Sequence, residues 1–146
     1  MKQDTKLSKE YSKKIVSEVG MCFWNSKRLF VSIEENNAFY VEGFASMAGG
    51  KHGWVEIDGR VVDVSPFWTG REDVEYFAGV RYTREQVSKH LSNLSTGEDF
   101  NEPIINENGY GLHDYAWRKA ELDCLEFTGV QLPEGWKERV EALNGN

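Results

Sequence analysis

The sequence predicts a single α+β domain in which an antiparallel sheet packs against an amphipathic helix. Segments with helical periodicity alternate with short segments rich in aromatic and β-branched residues, and Asp58-Gly59 is typical of a tight two-residue hairpin turn. The chain has 146 residues, of which 40% are hydrophobic, so it is long enough to bury one core. No linker or repeat divides it, and we expect one domain with a core over about residues 20–92 and a helical part over about 93–146.

The first two helices are predicted from apolar spacing. Apolar residues at every fourth position indicate a helix over Leu7–Val19, and Gly20 is suited to end it. A second helix is predicted from Met21 to about Glu34, with Cys22 at its start and its thiol along the apolar stripe. Further helices are predicted after the capping box Thr83–Gln86, over Leu112–Phe127, and from Pro133 onward.

The strands are predicted from aromatic and β-branched segments bounded by turn residues. Asp58-Gly59 joins two of them, and small or polar residues separate the others. The predicted strands are Phe39–Ala45, His52–Ile57, Arg60–Ser65 and Val74–Val80, and the predicted loops include Ser46–Lys51, Ser95–Pro103 and Asn106–Gly111.

Charge and hydropathy exclude several classes of function. The formal net charge of -7 argues against a general nucleic-acid binder, which needs a basic face for phosphate. No apolar run approaches the roughly 20 residues that span a bilayer, and the polar N-terminus lacks the apolar core of a signal peptide. We therefore expect a cytoplasmic protein that contacts neither membrane nor nucleic acid, with Cys22 and Cys124 reduced.

The hairpin register brings a histidine and an aspartate together. With Asp58-Gly59 as the loop, Ile57 faces Arg60 and Val55 faces Val62, which puts His52, Trp54, Asp63 and Ser65 on one face. His52 and Asp63 become diagonal neighbours, roughly 7–8 Å apart at the backbone, with side chains able to meet. The same register gathers Val55, Ile57, Val62 and Val64 on the other face.

Cys22 adds a thiol to this pair. At a helix start, unpaired N–H groups and the helix dipole favour a thiolate, and the same groups suit a tetrahedral oxyanion. A thiol, an imidazole and a carboxylate are the parts of nucleophilic acyl transfer. Singly, each has a plainer interpretation, since a lone Cys is usually a small core residue and a His-Asp pair is often structural.

The other titratable residues favour structural roles. Cys124 is predicted in the core, His90 beside an apolar helix stripe and His113 on the surface. A metal site made of His52, Glu56, Asp58 and Asp63 is conceivable, but Glu56 suits a polar strand position and Asp58 a turn. We therefore expect neither a metal nor a cofactor.

These motifs resemble the transglutaminase-like branch of the papain-like cysteine protease superfamily. The resemblance covers roughly residues 20–92 and lies in Cys22 leading a helix, then HGW with His52 and Trp54, then VVD ending in Asp63. Small, mostly uncharacterised bacterial and phage proteins of that branch are similar. The resemblance implies that Cys22 is the nucleophile, His52 the general acid/base and Asp63 the residue that orients it.

The chain also departs from that family. The Cys-to-His spacing is short, and no upstream Gln is suited to an oxyanion hole. Asn25, one turn after Cys22, is a candidate donor, although a helical Asn more commonly faces solvent or makes a local bond. Glu42 faces either the cleft or an ordinary polar rim, and we expect the rim. Trp54 is expected to wall the cleft.

Two functions of different classes follow. The favoured one is a thiol-dependent enzyme acting on an amide or ester of a protein or peptide, by hydrolysis, deamidation or amide exchange. The alternative is a non-catalytic protein-binding module, such as a phage or bacterial inhibitor, on the same scaffold. The aromatic residues available for that interface are Trp68, Tyr76, Tyr110 and Trp117.

Overall fold

One antiparallel sheet organises the part of the chain described by a computed structural model, which is residues 1–47, 50–94 and 100–144. Its strands are β1 (Ala38–Ala45), β2 (Gly50–Ile57), β3 (Arg60–Val62) and β4 (Tyr76–Tyr82). Their spatial order is β3-β2-β1-β4, with every pair antiparallel. The sheet and the helices below confirm the predicted α+β class.

Six α-helices and a short 3-10 helix are described around the sheet. None of the helices in the described ranges is long and apolar enough to cross a membrane. The helices are α1 (Thr5–Ser12), α2 (Cys22–Ser32), α3 (Arg84–Asn93), α4 (Ile104–Asn108), the 3-10 helix Gly111–His113, α5 (Asp114–Thr128) and α6 (Trp136–Glu141).

The β2–β3 hairpin has the predicted register. Val55 pairs with Val62, Glu56 with Val61, and Ile57 with Arg60. The turn residues Asp58 and Gly59 have φ angles of 51° and 75°, the left-handed pair that a tight hairpin turn requires.

Both faces of the sheet are buried. One face carries a large cluster that includes Leu29, Phe30, Tyr40 and Val55, and the opposite face carries a smaller cluster around Trp54 and Tyr76. Members of the C-terminal part join the large cluster, so that part shares its core with the sheet. These members are Ile104, Ile105, Trp117, Ala120 and Cys124, and the core position predicted for Cys124 is confirmed.

Helix α1 is shorter than predicted. It ends at Ser12, and Val16 and Val19 are 82% and 68% exposed. The backbone after the helix bonds to side chains of α2 instead of continuing the helix: Asn25 bonds both the N–H and the carbonyl of Glu18, and Arg28 donates to the carbonyl of Val16.

The bounds of several other elements differ from the predicted ones. β2 begins at Gly50 inside a predicted loop, and β4 lies two residues later than predicted. α4 occupies Ile104–Asn108 and so overlaps the predicted loop Asn106–Gly111. α6 begins after Gly135, whose left-handed φ of 79° separates it from Pro133. Residues 48–49 and 95–99 of the predicted loops lie outside the described residues.

Candidate active site

His52 and Asp63 form a buried pair. His52 Nε2 donates to Asp63 Oδ2 at 2.8 Å, and the two side chains are 1% and 0% exposed. The pair lies 11 residues apart in sequence, because the hairpin folds β2 back beside the segment that follows β3. Since Nε2 is used by the carboxylate, Nδ1 is the imidazole nitrogen left for another partner.

The Asp63 carboxylate has three hydrogen-bond donors. Besides His52, the Tyr76 hydroxyl donates to Oδ2 at 2.6 Å, and the Ser65 backbone N–H donates to Oδ1 at 3.1 Å. The backbone N–H of Asp63 donates to Ser8 Oγ at 3.0 Å, which ties the residue to α1. Charge-assisted bonds of this kind offset the cost of burying a carboxylate and fix its orientation.

An aromatic wall covers the His52 ring, and its nearest member is Trp68. The Trp68 ring stacks on the imidazole with centroids 3.7 Å apart, whereas the centroids of Trp54 and Tyr76 lie 6.2 and 6.1 Å away. Trp54 shares the strand face with His52 as expected, but it lies fully buried in the smaller core cluster. The direct cover is therefore Trp68, which the sequence had suggested only as an interface aromatic.

Cys22 is the first residue of α2, and its thiol acts on the pKa of His52. Its side chain is partly exposed, and Met21 before it gives no side-chain cap. Burial acts to lower the pKa of His52, but the charge and hydrogen bond of Asp63, together with the Cys22 thiol, outweigh it and raise this pKa to about 9. The ring is thus an imidazolium at neutral pH, hydrogen-bonded to the Asp63 carboxylate and within electrostatic reach of the Cys22 thiol.

Two backbone N–H groups of the first α2 turn have no acceptor among the described residues. Trp24 N–H donates to Asn101 Oδ1 at 3.1 Å, and Asn25 N–H donates to the Met21 carbonyl at 2.8 Å. The N–H groups of Cys22 and Phe23 precede the first intrahelical bonds and find no partner within residues 1–47, 50–94 and 100–144. Unpaired N–H groups of this kind can stabilise an anion or oxyanion placed at the start of the helix.

Asn25 is a structural residue and does not face solvent. Its Nδ2 donates to the Glu18 carbonyl at 2.8 Å and to Ser65 Oγ at 3.3 Å, while its Oδ1 accepts from Glu18 N–H at 2.9 Å. With both amide protons used, it has none to offer an oxyanion. Its role is to join the segment before α2 to the segment after Asp63.

The expectation that Glu42 lies on a polar rim is wrong. Glu42 is completely buried, and its carboxylate accepts from Tyr40 Oη at 2.6 Å and from the N–H groups of Ile104 and Ile105 at 2.6 and 3.0 Å. Burial raises its pKa, although these donors act in the opposite direction. None of these partners belongs to the Cys22, His52 and Asp63 cluster, so Glu42 anchors α4 rather than the cleft.

A buried lysine beside the site was missed. Lys27 is completely buried, and its Nζ donates to His90 Nε2 at 2.8 Å, to the Phe100 carbonyl at 3.0 Å and to the Glu102 carbonyl, while His90 Nδ1 donates to Glu107. Desolvation lowers the Lys27 pKa to about 8. The sequence pattern indicates this burial, because Lys27 lies at helical spacing from Phe23 and Phe30, on the apolar face of α2.

The remaining candidates have other partners. Glu56 forms an ion pair with Arg81, with 2.7 Å between Oε1 and Nε, and Asp58 lies in the hairpin turn. His113 is exposed, as predicted.

Comparison with known protein families, with curated proteins and with solved structures found no match to this chain.

Proposed function

We propose that the protein catalyses thiol-dependent acyl transfer on an amide or ester of a protein or peptide, by hydrolysis, deamidation or amide exchange. Cys22 is the nucleophile, His52 the general acid/base and Asp63 the residue that orients His52. One observation carries the proposal: His52 Nε2 is hydrogen-bonded to buried Asp63, while a partly exposed thiol at a helix start helps to stabilise the charge of the same ring.

Acylation uses the imidazolium as the acid. The Cys22 thiolate attacks the carbonyl carbon, a C–S bond forms, and the carbonyl π electrons move onto oxygen beside the N–H groups of Cys22 and Phe23. As the oxyanion collapses, the bond to the leaving nitrogen or oxygen breaks and His52 gives that atom its proton. The products are a Cys22 thioester and the released amine or alcohol.

Deacylation reverses the proton flow. Neutral His52 takes a proton from water or from an acceptor amine, which attacks the thioester carbon as the C–S bond breaks. Thiolate and imidazolium are then restored. Asp63 keeps the proton-carrying Nε2 pointed away from the thiol throughout, so that Nδ1 serves the substrate.

The transglutaminase-like branch of the papain-like fold remains our proposal for the scaffold. Its support is the chain order Cys22, His52, Asp63, placed on a helix start and an antiparallel hairpin. A cytoplasmic location and a bacterial or phage source belong to the same proposal.

Reaction with an activated ester tests the function before any natural substrate is known. A small p-nitrophenyl ester should acylate Cys22, detected by peptide mass spectrometry, and an added amine should release the acyl group. Iodoacetamide at mildly acidic pH should modify Cys22 well before Cys124, whose thiol pKa is raised by burial. Cys22→Ala should abolish acylation while Cys124→Ala retains it, and equal labelling of the two thiols in the native protein would defeat the proposal.

A protein-binding module is the second candidate, and Phe67 favours it. Phe67 is 74% exposed and has a left-handed φ of 71°, so the loop after Asp63 presents an apolar ring to solvent. An inert Cys22 in the native protein, together with a stable protein complex lost in Phe67→Ser, would select this candidate.

A further inference from the structure

We propose that Tyr76, held by Gln3, is a positioning residue that sets how strongly Asp63 stabilises the protonated form of the His52 ring. This inference rests on the proposed function and deepens it, since it identifies what tunes the acid that protonates the leaving group.

Tyr76 and His52 donate to the same carboxylate oxygen. The Tyr76 hydroxyl lies 2.6 Å from Asp63 Oδ2, and His52 Nε2 lies 2.8 Å from it. All three side chains are buried, so solvent does not compete for that oxygen. An oxygen that accepts a second strong donor spreads its charge over two bonds and attracts each proton less.

Gln3 fixes the direction of the Tyr76 hydroxyl. Its Nε2 donates to Tyr76 Oη at 3.1 Å and to the Trp68 carbonyl at 2.8 Å, and its Oε1 accepts from Gly70 N–H at 2.8 Å. Because the phenol oxygen accepts from Gln3, its own proton points at Asp63. Gln3 also secures the loop that carries Trp68, so it supports both the carboxylate and the cover of the imidazole.

Among the described residues, few other titratable groups face His52, so the bond from Tyr76 to Asp63 has a direct effect on the protonation of the ring. The titratable groups that face His52 are Asp63, Cys22 and Tyr76, and Arg71 acts electrostatically on Tyr76. Without the Tyr76 hydroxyl, Asp63 Oδ2 serves His52 alone. His52 then keeps its proton to higher pH and becomes a weaker acid toward the leaving group.

Tyr76→Phe tests this with little change in shape. The midpoint of the His52 ring titration, followed by NMR, should rise by about 0.5–1 pH unit, and acyl transfer should slow by about 3- to 10-fold. Gln3→Met should move the midpoint in the same direction by a smaller amount, because the hydroxyl remains but is free to rotate. The matched control is Tyr82→Phe, a buried tyrosine on the same strand outside this network, which should leave the midpoint unchanged.

The outcomes separate the two proposals. A His52 midpoint unchanged in both Tyr76→Phe and Gln3→Met would overturn the positioning role, even if melting temperatures fell. If Tyr76→Phe does not fold, Gln3→Met decides alone. A wild-type protein in which Cys22 forms no acyl adduct would defeat the proposed function, whereas the His52 midpoint would still report on Tyr76.

Discussion

His52 carries a proton that a buried imidazole would normally lose. Burial disfavours the charged ring, but the Asp63 carboxylate and the Cys22 thiol raise its pKa to about 9. At neutral pH the ring is therefore an imidazolium, which is the proton donor that the proposed acylation step needs once Cys22 attacks as a thiolate.

Asp63→Asn should remove that state while preserving shape. In Ser-His-Asp enzymes the same exchange lowers turnover by about 10⁴-fold. A thiol is more acidic than a serine hydroxyl and needs less help from a base, so we expect a smaller effect here. Alkylation of Cys22 at mildly acidic pH should slow by about 10- to 1000-fold. The matched control is Asp58→Asn in the exposed turn of the same hairpin, where asparagine suits the left-handed φ of 51°. Unchanged alkylation in Asp63→Asn would show that the three residues are not coupled.

The two tryptophans near His52 should separate stability from reactivity. Trp54 is fully buried, so Trp54→Ala should lower the free energy of unfolding by about 3–5 kcal/mol. Trp68 is only partly buried, so Trp68→Ala should lower the free energy of unfolding by less. Because the Trp68 ring stacks on His52, its removal should let the imidazole change orientation and slow Cys22 alkylation roughly 10-fold. Urea unfolding and alkylation rates measure the two effects, and the reverse ranking would contradict this division.

The contacts of the site that could be predicted from the sequence are those between residues of one local element. His52 and Asp63 belong to one hairpin whose register follows from its two-residue turn, so their meeting could be predicted. Trp68 and Tyr76 come from a loop and from the next strand, and Gln3 lies 73 residues from Tyr76. No periodicity connects such residues, which is why their contacts could not be predicted.

At the scale of elements, close contact between α2 and β2 brings the helix that starts with Cys22 against the strand that carries His52. A Cβ on Gly53 would lie 2.8 Å from Phe23 Cδ1, closer than side chains tolerate. Ser26 Oγ also donates to the Gly53 carbonyl at 2.9 Å. The glycine between His52 and Trp54 thus lets the start of α2 approach the strand that carries His52.

Gly53→Ala should push α2 away from β2. We expect a loss of about 1–3 kcal/mol in the free energy of unfolding, and slower Cys22 alkylation because the thiol moves from His52. Phe23→Leu removes part of the ring that the new methyl meets, so the double variant should recover reactivity relative to Gly53→Ala. An alanine accepted with no change in either measurement would contradict this account of the contact.

The element boundaries show where tertiary contacts override local pattern. The fourfold apolar spacing over Leu7–Val19 favours a long helix, yet α1 stops at Ser12. Asn25 and Arg28 on α2 bind the backbone of the segment that follows, and its valines remain exposed. The capping box of Thr83 and Gln86, which is complete within a few residues, was predicted correctly.

For the whole molecule, His52 and Lys27 link folding to pH with opposite signs. The pKa of His52 is raised from 6.5 to about 9 on folding, so the stability it contributes is present below pH 6.5 and is lost as pH rises through 9. The pKa of Lys27 is lowered from 10.5 to about 8, so the folded state gains relative stability as pH rises from 8 toward 10.5. Each shift corresponds to about 3 kcal/mol.

Lys27→Met should therefore change the shape of the stability curve. Urea unfolding of the wild type should show the free energy of unfolding decreasing above pH 6.5, with the decrease offset above pH 8 as Lys27 becomes neutral. In Lys27→Met that offset is missing, so its curve should keep falling relative to the wild type. Lys6→Met, at an exposed position of α1, is the control, and a pH-independent difference between Lys27→Met and wild type would contradict the buried-charge assignment.

The chain separations within the site imply an order of assembly. His52 and Asp63 need to close only 11 residues of chain, whereas the Gln3–Tyr76 bond closes 73. Because loop closure costs more entropy for longer loops and distant contacts form late, the pair should form early during refolding and its outer support last. In pulse alkylation during refolding, Cys22 should therefore reach its native alkylation rate only in the final phase. A chain that is still being synthesised would then carry a Cys22 thiol without its enhanced reactivity. Full Cys22 reactivity in the first phase would argue against this sequence of events.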